Sequence, residues 1–126
     1  MTAYTWTGEL GSGSGNWDSA SSWSPTGGPP TATDTATIGP SEYADYDVTI
    51  NSTDAAQTLI EDAFHATVAD VGSLTISNTF ALEQGTFILN SGGILNAAHI
   101  RIDGGAQQLL LVRNENSTTI DATSHQ

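Results

Sequence analysis

The chain has 126 residues, enough to bury one hydrophobic core and too few for two. Two arginines, Arg101 and Arg113, stand against fourteen acids with no lysine, a formal net charge of −12. This excludes nucleic-acid binding, which rests on cationic side chains that neutralise phosphates, and it disfavours anionic membranes. With no cysteine in the chain, a disulfide framework, a thiolate zinc site and a cysteine nucleophile are excluded too.

The first fifteen residues, MTAYTWTGELGSGSG, carry no basic segment followed by an apolar run, and no later stretch is long and apolar enough to span a bilayer. Export therefore requires a signal outside the usual N-terminal position, or one already trimmed from the chain. Residues 1–40 are rich in Gly, Ser, Thr and Pro, yet they hold all three tryptophans, Trp6, Trp17 and Trp23. Flexible linkers are poor in aromatics, so this stretch reads as an ordered N-terminal cap and opening segment.

Residues 41–126 read as the remainder of the same structural domain. Short runs rich in Thr, Ile, Val, Leu and Phe predict strands at 35–38, 47–51, 57–60, 66–71, 73–77, 80–83, 86–90, 94–96, 99–103 and 108–113. Alternation is clear in Leu74/Ile76, Phe80/Leu82, Phe87/Leu89 and Ile100/Ile102. Between Asp54 and His65 the pattern allows one short helical turn.

Gly72 and Gly92 lie twenty residues apart, as do Gly85 and Gly105, which suggests a coil of that length. The register predicts one column through Ile60, Phe80, Ile100 and Ile120, and another through Val48, Val68 and Ile88. Such columns are what a parallel solenoid buries between successive coils. The expected fold is all-β, a single-stranded parallel β-helix (β-solenoid) with a tryptophan-containing cap; an antiparallel β-sandwich is the alternative.

The order Thr5-Trp6-Thr7-Gly8, Asn16-Trp17-Asp18, Ser22-Trp23-Ser24-Pro25 and Asp34-Thr35-Ala36-Thr37-Ile38 resembles the opening of large bacterial extracellular β-helix proteins of the autotransporter-passenger and adhesin type. Leu74-Thr75-Ile76, Gly85-Thr86-Phe87-Ile88-Leu89 and Gly92-Gly93-Ile94-Leu95 are similar to the coils of those proteins. The resemblance implies a surface or secreted structural role, as adhesin, matrix component or stalk, and it brings no catalytic residues.

Read for chemistry, the residues offer several candidates. Trp6, Trp17 and Trp23 could form a platform for a glycan, or seal an apolar end of the fold. Glu42, Asp45 and Asp47 could supply oxygen ligands to calcium, although their spacing matches no EF-hand loop. Asp45/Asp47, Glu61/Asp62 and Glu83/Asp103 are the carboxylate pairs that glycoside hydrolysis would need, and for Glu83 and Asp103, one coil apart in this register, solvent-facing corners are the plainer explanation. His65, His99 and His125 lack a Gly-x-Ser-x-Gly partner motif.

The expectation is a non-catalytic structural or adhesive module at the cell surface or outside the cell, with no resident cofactor. It would self-associate as a homo-oligomer or filament, or meet other surface and matrix components. A carbohydrate-binding module is the second reading, and a glycan-active enzyme the third.

Overall fold

The computed structural model describes residues 2–90, 93–102, 107–111 and 119–125. Among these the fold is all-β: nine strands in one curled, mixed sheet, with two short 3-10 turns and no α-helix. The strands are β1 (Ala3–Trp6), β2 (Ser14–Asn16), β3 (Trp23–Ser24), β4 (Thr35–Ile50), β5 (Thr53–Asp70), β6 (Ser73–Leu89), β7 (Ile94–Ile102), β8 (Gln107–Leu111) and β9 (Thr119–His125).

Only β1 and β3 pair antiparallel; β1 and β2 lie parallel on β4, which is followed in parallel by β5, β6 and then β7. Strand β8 also pairs with β6, and β9 with β7, both in parallel. A sandwich of two antiparallel sheets is therefore not what these strands form.

The long strands exist because stretches of alternation follow one another, interrupted by irregularities, and because each strand has a partner on both sides. In β6, Leu74, Ile76, Phe80, Leu82, Phe87 and Leu89 are all buried. Parallel register brings like residues over one another, as in Ala36, Leu59, Phe80 and Ile100, or Val48, Val68 and Phe87. Phe80 and Phe87 meet across the core with ring centroids 5.1 Å apart. Each fully buried side chain of this size contributes roughly 1.5–3 kcal/mol over its exposed state.

Three expectations are corrected. Residues 54–65 form strand, not a helical turn, because ladders to β4 and β6 capture the backbone that local propensity leaves undecided. The spacing between paired strands is not a constant twenty residues: Asp47 pairs with Thr67 twenty residues on, Thr67 with Thr86 nineteen on, and Ile94 with Thr119 twenty-five on. Irregularities absorb the differences.

The predicted columns shift accordingly. Ser77 and Asn78 lie opposite Gln57 alone, so Leu59 replaces Ile60 beside Phe80. Residues 63–66 of β5 bulge opposite Gly85, so Phe87 replaces Ile88 beside Val68. Ile120 pairs with Leu95 instead of Ile100.

Corners stack as closely as strands. Gly72 N–H donates to the Ile50 carbonyl at 3.0 Å, and Ile94 N–H donates to the Gly72 carbonyl at 2.8 Å. A Cβ on Gly72 would lie 2.5 Å from the Ser52 carbonyl oxygen, so this corner admits no larger residue without moving.

Candidate functional site

The three tryptophans come together although they start from different segments. Trp6 and Trp23 face each other across the β1–β3 pair, and Trp17 follows β2 with its N–H donating to the Thr49 carbonyl at 2.8 Å. Their rings meet edge-on, Trp6 to Trp23 at 5.1 Å and Trp17 to Trp23 at 4.9 Å. The Trp6 Nε1–H donates to the Gly13 carbonyl at 2.9 Å, and the Trp23 Nε1–H to the Trp17 carbonyl at 2.7 Å. Exposures of 1%, 0% and 3% for Trp6, Trp17 and Trp23 leave no ring face on which a sugar could stack.

What is accessible lies beside them. An open groove of about 710 Å³ is lined by Thr5, Thr7, Ser12, Asp45 and Tyr46, with Trp6 beneath. Tyr46 is half-buried and packs against the core, which fixes its ring, whereas the Asp45 side chain is exposed. A fixed aromatic ring, hydroxyls and one carboxylate around a groove can hold a polar, ring-shaped ligand.

The calcium candidates do not gather. Asp45 and Asp47 are both exposed on β4, and the side chain of Glu42, on the same strand, lies outside those described. Among the described residues no group of three or more His, Asp or Glu side chains is arranged to hold a metal ion. The carboxylate pairs fare similarly. Glu61 points inward, while neighbouring Asp62 accepts a hydrogen bond from Gln84 Nε2 at 2.9 Å. Glu83 pairs with Arg101 at 3.0 Å, and Asp103 lies outside the described residues. His65 and His99 are exposed on separate strands, and the His125 side chain lies outside those described.

Sequence reasoning singled out Glu61 only as half of a carboxylate pair and missed its burial, and it missed Asp54 and Asp70 altogether. Asp54, Glu61 and Asp70 are buried, at 7%, 0% and 0% exposure, all on β5. Asp54 Oδ2, Asp70 Oδ2 and both Glu61 carboxyl oxygens make no well-formed hydrogen bond. Burial, with the nearby Asp18 charge, pushes the Asp54 carboxyl up to about 6. Burial pushes Asp70 up to about 7, against a lowering hydrogen bond from the Gly72 N–H and with a further push from Asp54. For Glu61, burial raises the carboxyl well above its ordinary value, and the Thr86 N–H offsets only part of this.

The signal was present in the phase of the alternation. Leu59, Glu61 and Ala63 share one face, as do Val68 and Asp70, so an inward strand places these acids inside. Among the described residues no helix is long and apolar enough to cross a membrane. No protein-family model, curated protein or solved structure matches the chain.

Proposed function

We propose that the chain is a non-catalytic structural module, a parallel β-helix that serves adhesion or assembly at a cell surface or outside the cell. The observation that carries this reading is the parallel ladder from β4 through β5 and β6 to β7, which stacks one buried column on the next. Stacking of this kind produces a stiff, extendable body, and the tryptophan cluster closes its N-terminal side. An acidic surface keeps such a body soluble, and self-association into oligomers is the proposed mode of action.

The groove beside Tyr46 favours a second reading, a carbohydrate-binding module. The net charge of −12 would repel acidic sugars, so neutral or amino sugars are the class that fits. Binding would then rest on Tyr46, Asp45 and the hydroxyls of Thr5, Thr7 and Ser12, not on the buried indoles.

Two measurements on one preparation separate these readings. Oligomers in light scattering, with no retention on a glycan array, support the structural module. Saturable glycan binding that Tyr46→Ala abolishes in a still-folded protein replaces it with the binding module, and cleavage of an arrayed glycan would sink both. Spin labels at Thr49 and Ala69, paired residues on β4 and β5, test the parallel ladder on which this reading rests: backbone separation of about 4.8 Å is expected.

A further inference from the structure

The inward acids of β5 interrupt columns that are apolar on either side. Glu61 lies between Ile38 and Leu82, and Asp70 between Ile50 and Leu89. Asp54 lies beside Leu74, which in turn pairs with Leu95. All six of these apolar neighbours are fully buried. One strand thus carries three carboxyl groups into columns whose paired neighbours are hydrocarbon.

The surroundings of Glu61 suit a carboxylic acid and oppose a carboxylate. At Gly85, with φ of +91°, a Cβ would sit 2.6 Å from the Ala63 carbonyl oxygen, 2.9 Å from that of Ala66 and 2.9 Å from Glu61 Oε2. Three acceptor oxygens therefore crowd one small volume. A proton on Glu61 supplies a donor in this acceptor-rich site, whereas a negative charge there is buried with only the Thr86 N–H to offset the loss of water.

We propose that β5 is a protonation-controlled layer: Asp54, Glu61 and Asp70 fold inward as neutral acids, and their ionisation loosens this strand from β4 and β6. Of the charged groups packed around it, Asp18 faces Asp54, and Asp54 faces Asp70. On β4, Asp45 and Asp47 are exposed; on β6, Glu83 is occupied by Arg101; on β5 itself, Asp62 is bonded to Gln84 and His65 is exposed. Among the described residues no cationic side chain bonds to the buried Asp54 Oδ2, Asp70 Oδ2 or Glu61 oxygens to hold them ionised.

The direction follows from the raised carboxyl pKa values of the folded state. Below about pH 4 the acids are protonated whether folded or not, and their contribution to stability is fully present. As pH rises, the unfolded chain releases these protons first, and that stability is lost up to about 6 for Asp54 and about 7 for Asp70. Asp34 acts oppositely. It accepts hydrogen bonds from the Thr31 and Thr2 N–H groups, which hold it below the ordinary range, so its contribution fades only as pH falls through that lower range.

Urea unfolding of the full chain at pH 5 and pH 8 tests the layer, beside the variant D54N/E61Q/D70N. The unfolding constant of the parent should rise at least about tenfold between the two pH values, and that of the variant less than about threefold. Equal ratios in the two proteins would assign the effect to surface repulsion and overturn the proposal. Because the triple variant could fail to fold, Glu61→Gln alone is compared with the parent by infrared difference spectroscopy at pH 6. A protonated-carboxyl band lost in the variant is expected, and a carboxylate band in its place overturns the proposal. Millimolar calcium that removes the pH dependence of the parent would also overturn it, by showing the layer held as carboxylates.

Discussion

The tryptophan cluster and the inward face of β5 are both dry, yet the polar atoms they leave unpaired differ in kind. Trp6 and Trp23 each donate to a backbone carbonyl, the rings pack edge to face, and the one indole N–H without an acceptor, that of Trp17, carries no charge to titrate. Asp54, Glu61 and Asp70 reach a similar degree of burial with carboxyl oxygens left without a well-formed hydrogen bond. Burial alone therefore does not rank the two regions. One is stabilised by what it hides, and the other is stable only while its groups stay neutral.

Removing the largest apolar contribution should have the largest effect. Trp17→Ala is expected to cost about 3–5 kcal/mol in urea unfolding, and by the same amount at pH 5 and pH 8, because no titrating group is involved. A loss that changed with pH would break the contrast with β5. Glu61→Leu should do the reverse: a gain of roughly 1–4 kcal/mol at pH 8, shrinking at pH 5 where the parent carboxyl is protonated. Leucine matches Ile38 and Leu82 in the same column, so a destabilised variant at pH 8 would mean that the carboxylate has an ionic role there.

The smallest effect belongs to a charge that is not buried. Glu83 and Arg101 pair at 3.0 Å with side chains 33% and 43% exposed. Glu83→Gln should cost no more than about 1 kcal/mol, and less in concentrated salt. A larger loss would place Glu83 with the buried acids.

Much of the fold was readable before the structure. Alternation in Leu74/Ile76, Phe87/Leu89 and Ile100/Ile102 marked strands, and the glycines marked corners such as Gly72. The pairing register was not readable, because the bulge at residues 63–66 and the extra residues Ser77 and Asn78 leave no local trace in composition. The same holds for β2 and β9, whose polar or glycine-rich sequences form strands through their pairing partners, while β1 and β3 are too short for their alternation to stand out. Trp6, Trp17 and Trp23 were recognisable as a cluster. The groove beside Tyr46 was not, since it requires β1, the first 3-10 turn and β4 to converge.

Composition and pattern by themselves determined that this is an acidic all-β protein without cysteine. Those properties follow from residue types and a two-residue period, which need no partner to be read. The phase of the alternation sets which residues share a face with these acids, and tertiary structure decided that this face is the interior. The side of a strand that becomes the interior is chosen by the neighbours it pairs with, and a shift of one residue would have turned Asp54, Glu61 and Asp70 to solvent.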